Sequence, residues 1–316
     1  MKITPLRAAA FTLLLILLLL VPQPDWGRMR MLDAAGDMMH APVFALFAVV
    51  IWKVLRTRGS GSDVRRGLIA FAIVAGFGAA TEVLQGFVGR HPSWLDLSSN
   101  LLGSAAGILW MHRATVASAP RRRLAAGAVT LLAVAWVVPT STLVDTILQQ
   151  YEMPRLASFE HALELSRWRC YESRVARVPE HATHGDRALR VELYAGIYPG
   201  VLLDAPVPDW SAYDELAMDV TLPPDRPLDL VVKIEDEMHN GETDDRFNRG
   251  VRLHPGRQEV RIALSDVAAA PQQRTMDLRR IRRMQIFAAD LSATRTFYLD
   301  NVRLECKKGA GSFSPP

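Results

Sequence analysis

Five apolar runs, residues 6–21, 38–55, 67–88, 95–111 and 124–144, constrain the folding of this chain more than any other feature. A helix needs roughly 20 mostly apolar residues to cross a bilayer core, and these runs reach or approach that length. From about residue 148 onward, charged residues return every few positions. The whole-chain averages, 49% hydrophobic and 22% charged, conceal this division. The pattern predicts an α-helical transmembrane bundle of about five helices over residues 1–148, a water-soluble domain over 149–306 and a disordered tail at 307–316.

The first run follows Lys2 and Arg7, as a signal peptide does, but ends in Val21-Pro22-Gln23-Pro24 without a small-x-small cleavage site. It therefore reads as an uncleaved helix. Lys2, Arg7, Lys53, Arg56, Arg58, Arg65, Arg66, Arg113, Arg121, Arg122 and Arg123 fall on one side of the five-run layout, with Arg28, Arg30 and Arg90 in short loops on the other. Basic loops stay in the cytoplasm, so the second half is expected outside it. Gly59-Ser60-Gly61-Ser62 reads as a flexible cytoplasmic turn.

Several function classes drop out. Basic residues are not interleaved with aromatics in any run, so no nucleic-acid partner is expected. There is no Walker loop, GxGxxG turn or GxSxG elbow. The only two cysteines, Cys170 and Cys306, form no CxxC pair or zinc spacing.

Polar residues within the apolar runs carry more information. Asp37 and His40 open the second, Glu82 and Gln85 close the third, Arg90 follows, and Asp96 and Asn100 open the fourth. Spacings of three or four residues put each pair on one helix face, and alternating helix directions put all the pairs at one outer level. Singly, such residues read as helix caps and interhelix contacts. As a set, they read as a polar pocket opening outward, because charge within a membrane is retained where it functions. Gly103 and Gly107 form a GxxxG pattern for close helix approach.

Asp37-x-x-His40, Glu82-x-x-Gln85, Arg90 and Asp96-x-x-x-Asn100-x-x-Gly103-x-x-x-Gly107 together resemble the VanZ-like family of membrane proteins over residues 6–111. The resemblance implies a multi-pass protein of the bacterial cytoplasmic membrane, with lipid as a partner. The family is associated with the cell envelope and with low-level glycopeptide antibiotic resistance. The fifth apolar run is an addition that carries the second domain.

Beyond residue 157 the pattern turns to short strands at 189–194, 216–220, 228–234, 260–264, 284–287 and 296–304, with a helical turn at 276–283. Pro223-Pro224-Asp225 and His254-Pro255-Gly256 punctuate them. This predicts an all-β sandwich. Phe159-Glu160, Trp168, His184-Gly185-x-x-Ala188-Leu189-Arg190-Val191, Trp210-Ser211-x-Tyr213-Asp214 and Phe297-Tyr298-Leu299-Asp300-Asn301-Val302 resemble carbohydrate-binding jelly-rolls of the galactose-binding type. That resemblance implies a structural calcium held by Glu160 and Asp300. It also implies neighbouring first and last strands, which leaves Cys170 and Cys306 as either a disulfide or two separate free thiols.

Asp236, His239, Asn240, Asp245, Arg246, Phe247 and Asn248 crowd one polar stretch. They read either as a sugar-binding loop, with Tyr194 and Tyr198 as stacking surfaces, or as a solvated loop with internal ion pairs. The leading reading of the whole chain is a non-enzymatic or accessory envelope protein that recognises an envelope glycan or a lipid-linked glycan. The alternatives are an enzyme at the outer membrane face, with Asp37, His40 and Glu82 as acid–base groups, and a small transporter. A reporter enzyme fused after Glu305 is expected to be active only outside the cytoplasm, and one fused at Ser60 only inside. A cytoplasmic signal from the first fusion would overturn the five-helix layout.

Overall fold

A computed structural model describes residues 30–58, 61–87 and 93–306. The expected helix at 6–21, Arg28, Arg90, Gly59, Ser60 and the tail at 307–316 lie outside the described residues. The chain divides into two compact units between Leu143 and Val144.

The first unit holds helices α1 (Arg30–Arg58), α2 (Asp63–Phe87), α3 (Trp94–His112) and most of α4 (Ser118–Glu152). Among the described residues, three helices, α1, α2 and α4, are long and apolar enough to cross a membrane by length and composition. The expected span at 95–111 is a helix but falls outside that set, because serine, asparagine and glycine dilute its apolar residues. α1 begins well before residue 38, so Asp37 and His40 lie inside it and do not open it. Asp33 in its first turn complements the helix dipole there.

α1 and α3 pack along small residues. A Cβ at Gly103 would collide with Ala41 O, and one at Gly107 with Ala45 O. Both contacts advance together, so the two helices run parallel. Across α1 and α2, Phe47 and Phe77 meet edge-on with centroids 5.0 Å apart.

The second unit is an antiparallel β-sandwich. Its strands are β1 (Arg155–Ala157), β2 (Trp168–Tyr171), β3 (Ser173–Val178), β4 (Ala188–Leu193), β5 (Gly200–Asp204), β6 (Glu215–Leu222), β7 (Leu228–Asp236), β8 (Phe247–Leu253), β9 (Gly256–Ala263), β10 (Ile281–Phe287) and β11 (Arg295–Glu305), with a short helix α5 (Leu264–Ala269). One sheet has the order β3-β4-β11-β6-β9, with β1 also on β11, and the other has the order β2-β5-β10-β7-β8. Most connections switch sheets, which is the weave of a jelly-roll. Leu189, Val191, Val201, Leu203, Met218, Ile234, Met284, Phe297 and Leu299 fill the space between the sheets. Trp210 is fully buried and satisfies its indole N–H on Val207 O at 2.8 Å.

One expectation is corrected, and one pair of alternatives is narrowed. Residues 276–283 form no helix. Asp277 Oδ1 accepts the Arg279 N–H, closing a turn, and the chain enters β10 at Ile281. Cys170 and Cys306 are free thiols. Cys170 sits on β2 in one sheet, while Cys306 follows β11 in the other; the opening strand that does pair with β11 is β1, which has no cysteine.

The entry to the sandwich is fixed by Arg167, whose side chain is fully buried. It bonds Asp145 at 2.9 Å, Glu152 at 3.1 Å and Leu156 O at 3.1 Å, and lies 3.7 Å from Glu164. Glu164 in turn accepts the backbone N–H groups of Ser158, Phe159 and His161. Burial alone would lower the Arg167 pKa, but the bond to Asp145 and the surrounding carboxylates raise it above the ordinary arginine value. Removing one member of a buried pair typically costs about 3–5 kcal/mol, so Arg167→Met is expected to lower the melting temperature of the purified protein markedly. A variant that melts with the wild type would deny the network its stabilising role.

Candidate functional site

Alternation along the five-stranded sheet sends one set of side chains into the core and the other to its outer face. The pairing registers assemble three rows on that outer face. The first runs Tyr171, Gly200, Phe287, Val231, Gly250; the second Arg169, Leu202, Gln285, Lys233, Asn248; the third Asp204, Arg283, Glu235.

The first row holds an aromatic trough. Gly200 has no room for a side chain, since a Cβ there would lie 2.5 Å from both Ile286 O and Phe287 Cβ. Tyr198, just before β5, stands edge-on to Phe287 with centroids 5.8 Å apart. Tyr198 is 60% exposed and Tyr171 45% exposed, so apolar ring surface remains open to solvent beside a floor without a side chain. The second row adds the amides of Gln285 and Asn248. The third is charged: Glu235 is contacted by Lys233, by His239 at 3.3 Å and by Arg283 at 3.6 Å, and Arg169 pairs with Asp204 at 2.6 Å. Aromatic surface with a few amides and charges is what a polar, ring-shaped ligand requires.

Of the residues singled out in the sequence, Tyr198 and Asn248 reach this face, and His239 reaches its charged row through Glu235. Tyr194 is exposed just past β4, in the other sheet. Asp236 is fully buried and takes both terminal nitrogens of Arg274, at 2.6 and 2.7 Å. Asp245 accepts from Arg274 and from the Asn240 N–H, and His239 Nδ1 lies 3.0 Å from Asp245 O. Asn240 Oδ1 caps the Glu242 N–H, Arg246 is half-buried, and Phe247 is buried in the core. In this arrangement Asp236, Asp245 and Arg274 hold the β7–β8 loop together from within. Sequence reasoning missed Tyr171, Lys233, Gln285 and Phe287; the alternation Met284-Gln285-Ile286-Phe287 was the available signal.

Glu160 and Asp300 both reach the loop at residues 183–187. One oxygen of each carboxylate receives N–H donors from that loop. Glu160 Oε1 accepts from Asp186 and Arg187, and Asp300 Oδ2 from Thr183 and His184. Burial pushes the Asp300 carboxyl upward, and the bonds from Thr183 and His184 pull against it. Among the described residues no group of three or more His, Cys, Asp or Glu is placed to hold a metal.

In the helical unit, His40 Nδ1 lies 3.0 Å from Asn100 Oδ1, and His40 Nε2 lies 4.0 Å from Asp96. Glu82 accepts the Ser93 N–H at 3.0 Å, and the Ser93 hydroxyl caps α3 through the Asp96 N–H. His40, Glu82, Gln85, Asp96 and Asn100 are all buried, while Asp37 is exposed.

No family model matches this chain, and no curated protein does. Solved structures with a similar sandwich include the family 11 carbohydrate-binding module of Clostridium thermocellum in complex with a β-1,3-1,4-mixed-linked tetrasaccharide (18% identity, 48% of this chain, 94% of that one, TM-score 0.40). A family 30 carbohydrate-binding module of a cellulosomal cellulase from the same organism matches at 12% identity over 49% of this chain and 98% of that one, TM-score 0.39. An exo-β-agarase matches at 17% identity over 51% of this chain and 25% of that one, TM-score 0.40. Likenesses of this size say nothing of ligand or activity.

The bond from Arg274 and the Asn240 N–H hold the Asp245 carboxyl below its usual range. A depressed carboxylate stabilises the fold above its unfolded pKa of about 3.9 and loses that contribution as pH falls through the folded value. Protection of the Asn240 amide, its exchange rate relative to that of the unfolded chain at the same pH, is therefore expected to hold from neutral pH down to about pH 4 and to fall below it. In Arg274→Gln that protection should be low throughout. Wild-type protection in that variant would show that another contact closes the loop.

Proposed function

We propose that this chain is a VanZ-like, multi-pass protein of a bacterial cytoplasmic membrane whose extracytoplasmic sandwich binds a glycan on the outer face of its five-stranded sheet. The observation that carries the glycan reading is the trough in which Tyr171, Tyr198 and Phe287 border the side-chain-free Gly200. Sugar rings present flat apolar faces to aromatic rings, and their hydroxyls bond amides and charged groups such as Gln285, Asn248 and Lys233.

The membrane reading draws on three long apolar helices and on their exposed apolar faces, which include Leu46, Leu68, Ile73, Val83, Val129 and Val137. Apolar surface of this kind is what lipid covers. The buried set His40, Glu82, Gln85, Asp96 and Asn100 serves in this reading as the site for a polar head group or a lipid-linked glycan.

Purified full-length protein is expected to be retarded in native gels containing a soluble envelope polysaccharide or β-glucan. Tyr198→Ala and Phe287→Ala should each weaken that retardation by about three- to tenfold, the size of an aromatic contact, without a change in melting temperature. Retardation by no polysaccharide in a broad panel, or equal retardation of wild type and variants, would sink the glycan site.

A further inference from the structure

Helices α1, α3 and α4 leave a groove between them in the helical unit. α4 meets the others at separate points: a Cβ at Gly127 would stand 3.4 Å from Leu109 Cδ1, and Trp136 Nε1 donates to Met38 O at 2.9 Å. Beside these contacts the helices part around a cavity of about 580 Å³. Leu46, Val49, Trp110, Val129 and Leu132 typify its walls, and among the described residues Lys53 is the one charged residue lining it.

The position of Lys53 follows from helix geometry. Met38 lies against Trp136, and Leu46 and Val129 both line the groove, so α1 and α4 run antiparallel. Continuing along α1 to Lys53 brings the start of α4, and with it exposed Arg121, level with the lysine. Arg113 follows α3 at the same end, its guanidinium 3.3 Å from the centroid of the Trp110 ring. Asp63, the acid that opens α2 on that side, is taken by Arg66 at 2.7 Å. An apolar slot thus ends in a cluster of cations.

We propose that this groove holds an acyl chain of an anionic phospholipid, whose phosphate is bound by Lys53 with Arg113 and Arg121 beside it. The assignment rests on the membrane reading above. Within a bilayer an apolar groove fills with hydrocarbon, and basic side chains at the headgroup level select negative lipids.

The full chain, purified in mild detergent, would be titrated with phosphatidylglycerol and with phosphatidylcholine, and bound lipid read by native mass spectrometry. Phosphatidylglycerol is expected to bind about fivefold tighter or more, the contribution of one basic side chain facing a headgroup of net negative charge, which the choline cation of phosphatidylcholine cancels. Lys53→Ala should remove most of that preference, and Val49→Trp, which fills the groove, should displace both lipids. Leu132→Trp enters the groove from α4 and serves if Val49→Trp does not fold. Equal wild-type affinity for the two lipids, or wild-type binding in a folded groove-filling variant, overturns the proposal. Alkaline extraction of cell membranes separates the two readings. A chain that resists extraction yet shows no lipid preference refutes the groove alone, while a chain released by alkali refutes the membrane reading and the groove with it.

Discussion

One guanidinium organises the entry to the sandwich. Arg167 is bound to Asp145 and Glu152 at the end of α4, to the carbonyl of Leu156 in β1, and lies beside Glu164, which caps three backbone N–H groups of the segment between them. Charges so fully removed from water persist only when each has partners in good geometry. The network thereby sets where β1 begins, and β1 sets its pairing with β11 at the centre of the six-stranded sheet. A hydrophobic contact in the same place would tolerate sliding, whereas a forked donor does not.

From there the sandwich is an exercise in alternation. The two inner faces are closed by branched and aromatic side chains, and the outer face of the five-stranded sheet is left with a gradient from aromatic to charged. The same pleat that buries Met284 and Ile286 presents Gln285 and Phe287. Site and core are therefore two sides of one constraint. The aromatic trough also needs Gly200, because its neighbours on β10 leave no space for a Cβ.

In the helical unit the corresponding constraint is close approach. Gly103 and Gly107 let the backbone of α3 reach Ala41 and Ala45 of α1, and this proximity brings Asn100 within hydrogen-bond distance of His40. α4 does not come as near, and the groove ending at Lys53 is the space it leaves.

The sequence by itself determined the division into a helical half and a strand-rich half, the small-residue seam at Gly103 and Gly107, and the strands whose apolar residues alternate, such as β4, β7 and β11. Periodicity reports these because each element has one open side and one packed side. Other strands left no such trace. β5 is apolar from Val201 to Leu203 because Leu202 is buried even on the outer face, and β8, an edge strand, carries an exposed Arg249 where the alternation from Phe247 would put a core residue. Only the tertiary structure decided that Asp236 and Asp245 serve Arg274, that Cys170 and Cys306 belong to opposite sheets, and that Tyr171, Tyr198 and Phe287 share one trough. Each of those facts depends on which strands pair and in what register, and pairing joins residues far apart in the chain whose local sequence carries no mark of the partner.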